Sequence, residues 1–96
     1  VSPPNEVNKS EGEFVVGSEL GLHARPAGRF AVLAGHYESE IEVGLGDEWV
    51  DARSVLSLLS LAAGRGTRLR LRAVGPDAQE AVAALGAILE ESRESN

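Results

Sequence analysis

The chain contains no cysteine, no methionine and only four aromatic residues. Without cysteine there is no disulfide, no zinc–thiolate site and no iron–sulfur cluster, which fits a cytoplasmic protein. His23 and His36 stand apart from any metal-spaced cluster, so a structural metal is not expected, and with no Gly-rich nucleotide loop of the G-x-G-x-x-G or G-x-x-x-x-G-K type no cofactor is expected either. With no methionine, the first residue is expected to result from processing, trimming or excision from a longer chain. No apolar run approaches the roughly 18–20 residues of a membrane span, and no basic stretch with an apolar core marks a secretory signal. Positive charge is also short: nine Lys and Arg against fifteen Asp and Glu give a net charge of −6. That argues against a duplex nucleic-acid binder, although four of the nine basic residues lie between Arg65 and Arg72.

What is present suits one small globular domain: 96 residues, 43% hydrophobic and 25% charged. Residues 1–12, VSPPNEVNKSEG, are polar and aperiodic and read as a disordered leader. The domain is expected over residues 13–92, with 93–96 as a disordered tail. EFVVG from Glu13 reads as a strand with Phe14 and Val16 on one face. Arg25 to Ala34 reads as a helix with an apolar stripe of Ala27, Phe30, Ala31 and Ala34, and Gly35 as its stop. SEIEVGL alternates, with Ile41, Val43 and Leu45 against Glu40 and Glu42, and Gly46-Asp47 turns it into a short strand around Trp49–Asp51.

Ser54 can cap a helix whose core side is Val55, Leu58, Leu59 and Ala62, ended by Gly64. TRLRLRAV, residues 67–74, alternates with three arginines outward, where they can pair with Glu13, Glu40 or Glu42. Asp77 and Glu80 stand at capping-box spacing ahead of a helix bearing Ala81, Val82, Leu85, Ile88 and Leu89. The order β-α-β-β-α-β-α, with single apolar stripes on its helices, calls for an α+β fold with helices on one face of an antiparallel sheet. Ferredoxin-like and other split β-α-β arrangements both satisfy it.

The chemistry concentrates in GLHARPAG, residues 21–28. A helix start offers amides without intrahelical partners and the positive end of the peptide dipole, both favourable to a phosphate. His23 stands just before that start, where its ring can lean over the amides of Ala24 and Arg25. An imidazole, with an ordinary pKa of ~6.5, is largely neutral and nucleophilic near neutral pH. Arg25 adds a fixed charge and a donor fork suited to phosphoryl oxygens, and Pro26 stiffens the turn. A phosphohistidine site and a plain capped turn both account for these residues.

GLHARPAG followed by a Phe-containing helix resembles the active-site signature of HPr, the histidine-containing phosphocarrier of the phosphoenolpyruvate-dependent phosphotransferase system. The similarity continues through ARSVLSLLSLAAGRGTRLRLRAVGPDAQEAVAAL, which also resembles the nitrogen-branch relative NPr, and spans roughly residues 13–90. The resemblance implies a carrier rather than an enzyme. His23 would accept a phosphoryl group on Nδ1 from phosphorylated enzyme I and pass it to an enzyme IIA for sugar transport, while Arg25 neutralises phosphate charge. It also implies an open-faced β-sandwich, a four-stranded antiparallel sheet with three helices on one side. Nothing in the sequence argues against a monomer, and its charge and lack of long apolar runs predict no nucleic-acid or membrane partner.

Ser54 lies thirty-one residues after His23, at the spacing where some HPr proteins carry a serine modified by an ATP-dependent HPr kinase/phosphorylase. A simple N-cap explains it equally. Val55, Leu56 and Leu59 match the family's apolar contact patch, with Leu56 the clear candidate for exposure. Arg29 and Arg53 join Arg25 as basic residues for acidic partners. The chain departs from the pattern at Val32, Glu48 and Ser57, where further basic residues are common, which leaves the partner set open and admits an NPr-like or otherwise specialised duty. A non-catalytic α+β interaction module, with His23 bordering an anion-binding turn, is the rival of another class. An independent hydrolase is weaker, since no nucleophile or carboxylate pair adjoins His23.

Overall fold

A computed structural model describes residues 8–91. Its elements are β1 (Lys9–Val15), α1 (Ala24–Ala34), β2 (Glu40–Leu45), β3 (Glu48–Asp51), α2 (Val55–Ser60), β4 (Arg68–Val74) and α3 (Ala78–Glu90). The four strands form one antiparallel sheet in the order β1-β4-β2-β3. Thus β1 and β2 run parallel on either side of β4, and β3 and β4 do so around β2. Each pair is joined through a helix, which makes two interlocked split β-α-β crossovers and resolves the arrangement that element order leaves open.

Period-two patterning decides what each sheet face meets. Inward, Ile41, Val43, Leu69, Leu71 and Ala73 are buried under the helices together with Phe30, Leu58 and Leu85. The stripe of α1 is buried as expected: Ala27, Phe30, Ala31 and Ala34. The outward face carries rows of opposed charge, with Arg72 in register with both Glu11 and Glu42. Arg72 bonds Glu42 at 2.7 Å, and Arg68 pairs diagonally with Glu13 at 3.9 Å. Arg70 bonds the carbonyl of Gly46 instead of a glutamate. Trp49 packs on this open face, its ring centroid 3.7 Å from the Arg72 guanidinium and 4.6 Å from that of Arg70.

Four expectations are corrected. The first strand begins at Lys9, not Glu13, so residues 9–12 belong to the sheet rather than to a leader. Small Ser10 and Gly12 occupy inward positions facing Ala73 and Leu71, so the alternation lacks the branched residues that mark a strand. Residues 1–7 and 92–96, including the expected tail, lie outside the described residues. The second helix stops at Ser60, well before Gly64. Leu61 and Ala63 are buried there, while Ala62 is exposed in a left-handed conformation, φ 53°, and is not part of the core side.

Asp77 precedes α3 but makes no side-chain cap. Its carboxylate instead accepts from the backbone amides of Glu38 and Ser39, at 2.9 and 3.0 Å, and from the Ser39 hydroxyl at 2.6 Å. Ser39 is fully buried, so this bond supplies a partner that water cannot. The ties hold the carboxyl below the ordinary aspartate range, the Ser39 hydroxyl contributing most.

Candidate functional site at the start of the first helix

The β1–α1 loop is held by backbone bonds that fix where His23 stands. The amide of Gly21 donates to Ser18 and that of His23 to Gly21, each at 2.9 Å. Leu22 donates at 2.9 Å to Ala63 in the α2–β4 loop, and its side chain is buried. Gly21 is left-handed, φ 76°, and lies so close to Ala63 that an added Cβ would meet its carbonyl oxygen at 2.5 Å. Glycine is required there on both counts.

His23 is the N-cap of α1, with φ −90° and ψ −173°, and its carbonyl accepts from Ala27 at 2.9 Å. Its side chain makes no cap bond and is half-buried. The helix starts at Ala24, one residue earlier than expected, which puts Pro26 at the third helical position. Proline carries no amide hydrogen, so the backbone amides at the very start of the helix are those of Ala24 and Arg25. Ala24 and Arg25 are exposed, and Pro26 is half-buried. His23, Ala24 and Arg25 line one open depression of about 620 Å³ together with Leu20. Pro26 faces a second cleft that Arg25 also borders, shared with Arg29 and Glu91. The expected catalytic pair is thus gathered at one place, next to the positive end of a helix.

Leu20, not among the residues expected at this site, also lines the depression. It is 70% exposed beside His23. An aliphatic residue between Glu19 and Gly21 in a turn, outside any period, was the available signal.

The remaining candidates lie elsewhere on the same molecule. Ser54 caps α2, its Oγ accepting from the Ser57 amide at 3.1 Å. Leu56 is 80% exposed, while Val55 and Leu59 are half-buried against the core. Two of the three arginines expected to meet partners, Arg29 and Arg53, are engaged within the chain by ion pairs with glutamates. Arg29 makes a two-pronged ion pair with Glu91, at 2.7 and 3.1 Å. That bond holds the Glu91 carboxyl below and the Arg29 guanidinium above their ordinary ranges. Arg53 bonds Glu40 at 3.1 Å, and its amide donates to Asp51 at 2.9 Å. Among the described residues no cluster of potential ligands could hold a metal ion, and no helix is long and apolar enough to cross a membrane.

Chemically, the arrangement presents a nucleophilic imidazole at an open, anion-favouring surface with a guanidinium alongside. Such an edge can hold a phosphoryl group in reach of another protein.

Comparison with known proteins agrees in extent and in kind. The family described as the phosphorylation site of the HPr component of the phosphotransferase system (PTS) matches residues 10–91. The phosphocarrier protein HPr of Cupriavidus necator is 40% identical over 72 residues, covering 75% of this chain and 81% of that protein. The phosphocarrier protein NPr of Shewanella violacea is 37% identical over 84 residues, covering 88% and 92%. A crystal structure of HPr from Bacillus anthracis superposes with a TM-score of 0.81 at 32% identity, covering 84% of this chain and 96% of that one.

Proposed function

The chain belongs to the HPr family of phosphotransferase-system phosphocarriers, and from that premise we propose that His23 is the residue that carries the phosphoryl group, taking it from phosphorylated enzyme I and yielding it to an enzyme IIA. The observation that carries this reading is the placement of a half-buried His23 ring at the tip of α1, lining an open depression with Arg25. In the forward step the lone pair of neutral Nδ1 forms a bond to phosphorus. The donor's phosphorus–nitrogen bond breaks, and its electron pair returns to the donor nitrogen. Bonds of the same type are exchanged, so the step is readily reversible, as a relay requires. Arg25 and the amides of Ala24 and Arg25 offset the charge of the transferring group. An open rim, rather than a deep pocket, lets two successive partners reach one atom.

Incubation with enzyme I and phosphoenolpyruvate should add one acid-labile phosphoryl group, absent from His23→Ala. Label retained in that variant would refute the assignment. Ser54 is proposed as a regulatory acceptor for an ATP-dependent HPr kinase/phosphorylase, since a phosphate at a helix N-terminus is electrostatically tolerated. Ser54→Asp should then weaken the interaction with enzyme I, and unaltered binding would leave Ser54 as a cap alone. A second reading, an NPr-type regulatory carrier, is favoured by the NPr likeness extending over more of the chain than the HPr likeness. Comparing the rates with enzyme I proteins of the sugar and nitrogen branches distinguishes the two.

A further inference from the structure

We infer that Arg65, on the turn between α2 and β4, is a docking cation for the phosphoryl donor, which meets it with a carboxylate. This rests on the relay reading of His23. The turn is fastened to the loop that carries the histidine at three points. Leu22 donates to Ala63 at 2.9 Å, Gly66 to Val16 at 2.8 Å, and Val16 to Thr67 at 2.9 Å. A Cβ on Gly21 would lie 2.8 Å from the Cα of Gly64, the residue before Arg65. Thr67 closes the turn by donating to Gly64 at 3.1 Å. Arg65 is therefore carried on a braced backbone beside the His23 loop, off both helices, and it is exposed.

The other arginines are already engaged. Arg29, Arg53 and Arg72 are held by Glu91, Glu40 and Glu42, and Arg68 by Glu13 at 3.9 Å. Arg70 reaches Gly46 and Trp49, and Arg25 lines the site itself. Among the described residues no carboxylate or carbonyl holds the Arg65 guanidinium. A carboxylate from outside gains little by displacing an existing exposed pair, whereas at Arg65 it makes a new one, and the guanidinium fork fits its two oxygens. The net charge of −6 opposes an acidic partner at long range. A local cation next to the reacting histidine is then what admits a carboxylate and sets its register. Arg68, three residues on, adds to that local field, its side chain 72% exposed.

The test measures phosphoryl uptake by the full chain against the concentration of phosphorylated enzyme I. Arg65→Gln is expected to lower kcat/KM about threefold at roughly 20 mM salt, through KM, with kcat and Tm unchanged. Its gap from wild type should close at roughly 500 mM salt. Arg65→Lys keeps the charge and should retain more than about half of the wild-type value. Lys9→Gln makes the same change in net charge at the far end of β1 and should match wild type. The docking inference is overturned by a wild-type KM in Arg65→Gln, an equal fall in Lys9→Gln, a lysine variant no better than the glutamine one, or a gap that survives high salt. In each of these cases labelled wild type keeps the relay. A wild type that takes no label overturns both.

Discussion

Gly21→Ala tests whether the backbone of the β1–α1 loop is what presents His23. Two separable penalties follow from the structure. A left-handed alanine is disfavoured by about 1–2 kcal/mol, and Gly21 sits at φ 76°. The new Cβ would also lie 2.5 Å from the Ala63 oxygen, the acceptor for Leu22. Displacing it weakens a bond of net value ~1 kcal/mol. The stiffer unfolded chain returns roughly 0.4–1 kcal/mol.

The net loss is about 2 kcal/mol, which lowers Tm by roughly 8–16 °C in a domain of this size. Gly46→Ala is the control: Gly46 is left-handed too, φ 62°, but a Cβ there meets nothing within 4 Å. It should show the backbone penalty alone and leave phosphoryl uptake unchanged, whereas Gly21→Ala should slow uptake even well below its Tm. Thermal unfolding read from Trp49, on the open sheet face, supplies one axis and the rate of uptake the other. A Gly21→Ala protein that melts within about 2 °C of wild type and accepts phosphate at the same rate would refute the reasoning.

Three further outcomes are expected. Ala62→Gly should stabilise the protein by about 0.5–1 kcal/mol, because glycine relieves a left-handed alanine but has a freer unfolded chain; a lowered Tm would contradict this. Asp77→Asn should destabilise at neutral pH. Because the folded carboxyl titrates below its unfolded value of ~3.9, the contribution is present above that pH and lost as pH falls through the folded value. The Tm gap between wild type and variant should therefore close below about pH 4, and a gap that is constant down to about pH 2 would exclude the mechanism. Arg25→Ala, at an exposed position, should melt like wild type yet transfer phosphate about tenfold more slowly or worse. Equal transfer rates would remove Arg25 from the mechanism.

Much of this was legible in the chain because the relevant signals are local. The period of two in SEIEVGL and TRLRLRAV and the stripe Ala27, Phe30, Ala31, Ala34 each depend on neighbours within one element, and each is buried as that pattern demands. The Ser54 cap likewise spans three residues. Where reasoning failed, the deciding partner was remote. Ser10 and Gly12 become strand residues only because β4 lies beside them. Asp77 abandons its own helix because a buried serine thirty-eight residues away needs an acceptor. Arg29 looks like a free docking cation until Glu91 is brought to it across sixty-two residues.

From the order of residues alone came the class of fold, the helix that follows the histidine, and the guanidinium next to it, since these depend on periodicity and on spacing within a turn. Tertiary structure decided the strand order, which carboxylates occupy Arg29 and Arg53, and that Leu20 stands exposed at the rim of His23. Pairing between distant strands and burial against other elements are set by the whole chain collapsing on one core, and no short window of sequence contains that information.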